Sequence, residues 1–182
     1  MRLVMLDRDG VLNADRPDSV TSPAELVMLD GAAAAVARLN QAGLLVVLCT
    51  NQGVVGRGVI DERMLERIHD KLRSELARAG ARLDALFQCT DHPQNPGPRR
   101  KPAPGMLREA MARFRVAPQD AVMVGDALID LEAAAAAGCG RILLRSGKGR
   151  LTQKAGLPDH VLPVAIHDDL AGAAAALIEG GR

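Results

Sequence analysis

Short apolar runs alternate with amphipathic stretches of helical period from one end of this 182-residue chain to the other. Leu3 to Leu6, Leu44 to Cys49, Leu83 to Cys89, Ala121 to Val124 and Arg141 to Leu144 read as strands. Helices are expected over Gly31 to Gln41, Asp61 to Ala79, Gly105 to Phe114, an Ala-rich segment ending at Ala137, and Asp168 to Ile178. In Asp61 to Ala79, Met64, Leu65, Ile68, Leu72 and Leu76 fall on one face, and Asp61 and Glu62 suit the positive end of the dipole. Strands separated by helices cannot pair as hairpins, so the expected fold class is α/β. It is a Rossmann-like parallel sheet with helices on both faces, spanning residues 1–182 as a single domain.

In such sheets, ligands bind outside the carboxyl ends of the strands. The residues to read are therefore Asp7-Arg8-Asp9-Gly10, Thr50-Asn51-Gln52-Gly53 and Gly125-Asp126-Ala127. Arg100 and Lys101 arrive from a long irregular stretch, Thr90 to Pro104, rich in proline. A loop of that length in a compact domain more often serves function than not.

Composition narrows the partners. The formal net charge is +1, which leaves no basic excess for a nucleic-acid or anionic-membrane surface. Two Phe and neither Trp nor Tyr leave almost nothing on which bases could stack. The three cysteines, Cys49, Cys89 and Cys139, are far apart and odd in number, unlike a disulfide framework. The apolar run at Leu3 to Leu6 is too short for a signal segment or a membrane span. A soluble, cytoplasmic protein with no membrane or nucleic-acid partner is expected, and nothing points to assembly beyond a monomer.

Three carboxylates, Asp7, Asp9 and Asp126, at one sheet edge repel each other unless a cation compensates, and hard oxygen ligands favour Mg²⁺. A divalent ion beside Lys101 and Arg100 suits an anion with several oxygens, a phosphate. Thr50, Asn51 and the backbone N–H groups of the turn at Gln52 and Gly53 could hold the remaining phosphate oxygens. An aspartate in line with phosphorus can act as nucleophile, and a carboxyl group two residues along can serve as acid and base. The residues thus point to metal-assisted phosphoryl transfer.

The same residues carry a resemblance to the haloacid dehalogenase superfamily of phosphohydrolases. Its four motifs match Asp7-Arg8-Asp9-Gly10, the strand ending in Thr50, Lys101, and Gly125-Asp126-Ala127-Leu128-Ile129-Asp130. Within it, Leu6 to Asn13, Thr50-Asn51-Gln52, Gly56-Arg57-Gly58 and Arg100 to Met106 are similar to the branch that removes the 7-phosphate from heptose 1,7-bisphosphates. Histidinol-phosphate phosphatases are close relatives. The resemblance implies Asp7 as nucleophile and Asp9 as general acid and base. It implies Mg²⁺ held by the side chains of Asp7 and Asp126 and the backbone carbonyl of Asp9. Thr50, Asn51 and Lys101 would stabilise the phosphoryl group. Arg100, Arg57, Gln52, Gly53 and Asp15 would meet a small phosphorylated sugar. It also implies a step toward a nucleotide-activated heptose for surface glycans such as lipopolysaccharide.

The chain departs from that branch in two places. Its members commonly carry a zinc loop with Cys-x-His followed by Cys-x-Cys; here Asp91, Gly97 and Arg99 occupy three of the four ligand positions, and no structural zinc is expected. Ala127 and Ser19 stand where relatives have Lys and an aromatic residue. There is also no room for an inserted lid domain. A histidinol-phosphate or other small-molecule phosphatase, or a non-catalytic phosphosugar-binding protein, remain the alternatives.

Blander readings belong to other residues. Arg57 could be a plain exposed cation, and Asp130 either a partner of the metal shell or a helix-surface acid. Ser146-Gly147-Lys148-Gly149 reads as a turn near the site. His69 reads as exposed, His92, His160 and His167 as loop residues, and Cys49 and Cys139 as small core hydrophobes.

Overall fold

A computed structural model describes residues 1–180; the last two residues of the expected 1–182 domain lie outside the described residues. Six strands alternate with helices in the order β1 (Leu3–Leu6), α1 (Ala32–Gln41), β2 (Leu45–Asn51), α2 (Gly53–Gly56), α3 (Glu62–Arg78), β3 (Ala85–Cys89), α4 (Gly105–Phe114), β4 (Ala121–Gly125), α5 (Leu128–Ala137), β5 (Gly140–Leu144), α6 (Gly149–Ala155), β6 (Ala165–His167) and α7 (Leu170–Glu179). The strands form one sheet in the order β3-β2-β1-β4-β5-β6, and every pairing is parallel. This is the Rossmann-like architecture expected from the alternation.

The strands are buried on both faces, and their two-residue period sorts them into two cores. Val4, Leu6, Val46, Leu48, Val122 and Val124 pack with α1, α3 and α7. Leu3, Met5, Val47, Cys49, Ala121 and Met123 pack with α4 and α5. With so few aromatic side chains, Ala supplies the fit: Ala133, Ala134 and Ala137 let α5 lie close on the second face.

The five expected strands and five long helices are present, with shifts at their ends. β2 continues two residues past Cys49, so Thr50 and Asn51 belong to the strand, paired with Gln88 and Cys89 of β3. β3 starts at Ala85 rather than Leu83, because Asp84 binds the neighbouring strand through its carboxylate, which accepts from the Val46 backbone N–H at 2.8 Å. Three short elements, α2, α6 and β6, carry too little periodicity to be read from sequence. His69 corrects the reading most: it sits on the inner face of α3 and is completely buried.

Chain order runs outward from β1 through β2 to β3, then crosses back to place β4 on the other side of β1. The carboxyl ends of β1 and β4 therefore flank the topological switch point, where a crevice opens. No helix among the described residues is long and apolar enough to cross a membrane.

The interior and the N-terminus of α3 separate packing from capping. Leu72, fully buried, should cost about 2–5 kcal/mol on Leu72→Ala. Asp61 accepts from the Met64 N–H at 2.8 Å, and Asp61→Ala should cost only about 1 kcal/mol. Urea unfolding of both variants checks the ranking, and equal costs would contradict it.

Candidate active site

A cavity of about 660 Å³ lies at the switch point. Its lining includes Asp7, Asp9, Asp15, Asn51, Gln52, Gly53, Arg57, Arg100 and Asp126, all singled out from the sequence. Thr50 and Lys101 are buried beneath this floor rather than in the lining.

Lys101 holds the floor together. Its ammonium donates to the Cys49 carbonyl at 2.8 Å and lies 3.0 Å from Asp7 Oδ1 and 2.6 Å from Asp130 Oδ1. Burial pushes its pKa down, but Asp130 and Asp7 outweigh that and hold it above the ordinary lysine range. The loop that delivers Lys101 is pinned by Asn51, whose Nδ2 donates to the Lys101 carbonyl at 2.9 Å and whose Oδ1 accepts from the Lys101 N–H at 3.1 Å. Asn51 thus positions Lys101, while the second N–H of its amide and its place in the cavity lining leave it able to meet a phosphate as well.

Asp7, Asp126 and Asp130 offer oxygens that all lie within 4.8 Å of one another. One lysine faces three carboxylates, and the imbalance shows in their titration. Burial, with the charges of Asp130 and Asp9, pushes the Asp7 carboxyl up to about 6 against the pull of Lys101. Burial, with the charges of Asp7 and Asp130, pushes Asp126 up to about 7, although the Lys148 N–H donates to its Oδ2 at 2.7 Å. Gly10 and Gly147 close around Asp126: a Cβ at either would come within 2.1 Å of its Oδ2. At φ of +80° and +52° both also adopt backbone conformations that favour glycine. A hard divalent cation fits this oxygen set, and Asp7 and Asp126 are the side chains that would hold it.

The Asp9 side chain is engaged elsewhere, which is compatible with the expected metal contact through its backbone carbonyl. Asp9 Oδ1 accepts from Arg8 Nη2 at 3.1 Å and Asn13 Nδ2 at 2.9 Å, and Oδ2 accepts from Arg8 Nη2 at 3.0 Å and Gln52 Nε2 at 3.0 Å. Burial would raise the Asp9 pKa, yet Arg8, Asn13 and Gln52 outweigh it and hold the carboxyl below its usual range. Only the Asp9 backbone carbonyl is left as a metal ligand. Asp130 is no surface acid either: it is completely buried, and a Cβ at Gly125 would lie 2.3 Å from its Oδ2.

Lys148 was missed as a site residue. It lines the cavity and pairs with Asp15 at 3.1 Å, while its neighbour Ser146 donates to the Gly10 carbonyl at 2.7 Å. The glycine-flanked turn was visible in the sequence; its fold onto Asp126 was not. In the proline-rich loop the residues do not fit zinc. Asp91 accepts from the Gly97 N–H at 2.9 Å, and Gly97 and Arg99 offer no metal-binding side chain at the other expected positions.

The HAD-hydrolase-like family model matches residues 98–173. Over its full length the chain is 43% identical to the D-glycero-β-D-manno-heptose-1,7-bisphosphate 7-phosphatase of Bordetella bronchiseptica, covering 98% of this chain and 99% of that one. The chain belongs to this phosphatase family. The Pseudomonas aeruginosa member is 39% identical, over 97% of this chain and 98% of its own. The crystal structure of the Bordetella bronchiseptica D,D-heptose 1,7-bisphosphate phosphatase, complexed with magnesium and phosphate, superposes with a TM-score of 0.93 at 43% identity, covering 99% of both chains. That of the Burkholderia thailandensis enzyme gives 0.76 at 39% identity, covering 98% of this chain and 99% of that one. The sequence resemblance to this branch, and to the superfamily that contains it, is thereby borne out.

The titration of Asp7 and Asp126 yields a test. Both keep protons in the fold that they lose in the unfolded chain, so as pH rises from about 4 to 7 they progressively destabilise the metal-free protein. A cation bound there removes that penalty, and at low pH it must displace protons first. Mg²⁺ at a fixed millimolar concentration should therefore raise Tm by several degrees at pH 8 and clearly less at pH 5.5, read by calorimetry. Equal gains at the two pH values would refute the assignment.

Proposed function

We propose that the protein hydrolyses the 7-phosphate of D-glycero-D-manno-heptose 1,7-bisphosphate, with Asp7 as nucleophile and Mg²⁺ as cofactor. The observation that carries the reaction type is the convergence of Asp7, Asp126 and the Lys101–Asp130 pair at the switch point, under a cavity wide enough for a phosphorylated sugar. The full-length likeness to heptose bisphosphate phosphatases supports the substrate. Cations at the cavity wall suit a second phosphate. Lys148 and Arg16 are paired with Asp15 and Glu25. Arg57 instead meets the Ser19 hydroxyl and Arg100 the Asp91 carbonyl, so both keep charge available for an anion.

Lys101 holds one oxygen of Asp7 and leaves the carboxylate free to attack phosphorus from the cavity side. The phosphorus–oxygen bond to the sugar breaks, and protonated Asp9 gives its proton to the departing alkoxide. Asp9 then takes a proton from water, which attacks the aspartyl-phosphate and frees inorganic phosphate and Asp7. Mg²⁺ held by Asp7, Asp126 and the Asp9 carbonyl would supply charge neutralisation of the phosphoryl oxygens. Because Asp9 is held ionised by Arg8, Asn13 and Gln52, substrate entry must displace Gln52, the donor among them that lines the cavity, before Asp9 can carry a proton.

The single domain acts without a separate lid. The loop from Asp15 to Pro23 and the proline-rich loop, together with the substrate, exclude water. On this reading the enzyme works as a cytoplasmic monomer without structural zinc, in the supply of heptose for surface glycans.

Phosphate release with Mg²⁺ should favour heptose 1,7-bisphosphate over histidinol phosphate by roughly a hundredfold in kcat/KM, about 2.7 kcal/mol of transition-state discrimination. Equal slow turnover of the two would leave only the reaction type standing. Asp7→Asn should abolish turnover. Arg57→Ala should raise KM for the bisphosphate roughly tenfold, about 1.4 kcal/mol of binding, while sparing kcat on p-nitrophenyl phosphate. No change in KM would remove Arg57 from the substrate site.

A further inference from the structure

Behind the cavity, a buried polar chain runs from Asp9 through Arg8 to α3. Arg8 is completely buried, so every N–H of its guanidinium that lacks a partner carries an uncompensated desolvation cost. Nε and Nη2 point to Asp9, at 3.0–3.3 Å. Nη1 lies 3.3 Å from Nε2 of His69, itself completely buried and outside the cavity lining. Arg8 can only donate, so His69 Nε2 must accept, and the ring must be neutral with its proton on Nδ1. Burial, reinforced by the charges of Arg8 and Arg73, pushes the His69 pKa down to about 3, in keeping with that tautomer. Nδ1 of His69 and Oε1 of Gln88 are both buried with no hydrogen-bond partner.

A guanidinium held only at its Asp9 edge could pivot about that edge. A second anchor on the far nitrogen fixes its plane, and with it the orientation of the carboxylate it grips. We infer that His69 is a positioning residue for Asp9, acting through Arg8 and never touching substrate. The inference rests on Asp9 as acid and base of the proposed reaction.

A leaving group that needs no proton separates this role from a merely structural one. kcat/KM reports steps up to phosphoryl transfer, so loss of a well-placed acid should weigh on an alkyl phosphate and spare p-nitrophenyl phosphate. His69→Leu, which removes the acceptor, should lower kcat/KM for heptose 1,7-bisphosphate about tenfold or more while changing that for p-nitrophenyl phosphate less than about twofold. His69→Gln, whose Oε1 can accept from Arg8, should restore most of the loss. If the leucine variant does not fold, Arg8→Lys carries the test: it keeps the charge but cannot bridge Asp9 and His69, and the same selective loss is required. Equal losses on the two substrates, or a glutamine variant no better than leucine, overturn the inference. Asp9→Asn, assayed alongside, distinguishes the failures. Equal losses there overturn the acid role itself, whereas a selective loss there with equal losses in His69→Leu overturns only the anchor.

Discussion

The buried ammonium of Lys101 is the interaction on which the site depends. Taking an ammonium out of water is expensive, and it persists inside a protein only where anionic and carbonyl oxygens replace the lost hydration. Here those oxygens come from three separate elements: Cys49 in β2, Asp7 at the end of β1 and Asp130 in α5. Each is placed by the parallel register of the sheet, with Leu6 beside both Leu48 and Val124. Moving any one of these strands by a residue would leave a charge buried without its partner. The ion pairs therefore do little to add net stability, but they penalise every alternative register of the central strands.

The same lysine sets the charge imbalance that makes the site useful. With Asp130 bound closely to it, Lys101 offers Asp7 only part of its charge, and among the described residues no cationic side chain forms an ion pair with Asp126. Two carboxylates of raised pKa at the switch point favour a divalent ion and then an anion bearing its own oxygens. Asp9, two residues from Asp7, has the opposite environment: donors on both oxygens lower its pKa. Neighbouring carboxylates in one motif are thus driven apart in protonation by burial in one case and by donors in the other. The proposed roles call for the reverse order, which a cation on Asp7 and release of a donor from Asp9 would supply.

The long elements and their order were legible because strand and helix periods differ over enough residues to be told apart. The site was legible wherever it followed a strand: Asp7, Asp9, Thr50 and Asp126 all sit at the carboxyl ends of apolar runs. What escaped detection depends on tertiary packing. His69 lies among Glu66, Arg67, Asp70 and Lys71, a local context that reads as solvated, yet it falls in register with Leu65, Ile68 and Leu72 on the buried face. The spacing was consistent with burial; the polarity of its neighbours argued against it. Asn51 was assigned to the phosphate because an amide after a strand is a plausible donor. No local pattern reveals that a backbone fifty residues away engages both ends of that amide.

That amide also explains how a long loop can hold Lys101 in place through hydrogen bonds. Asn51 ends a strand buried in the centre of the fold, so its side chain is a rigid arm, and its two hydrogen bonds fix the Lys101 backbone at both its N–H and its carbonyl. Upstream, the Arg100 N–H donates to the Gly97 carbonyl at 3.1 Å, and Gly97 in turn donates to Asp91 at 2.9 Å. Downstream, the Gly105 N–H meets the Pro98 carbonyl at 3.0 Å, an approach so close that a Cβ at Gly105 would lie 2.2 Å from that oxygen. The loop is thus closed on itself at both ends and tied to the sheet in its middle. Two residues at the positions where the resembled zinc loop has ligands take part in this closure: Asp91 as acceptor and Gly97 as donor, where a Cβ would lie 2.8 Å from the Asp91 carboxylate. Hydrogen bonds of this kind, unlike a thiolate-bound metal, need no deprotonated thiols to hold Arg100 and Lys101 in place.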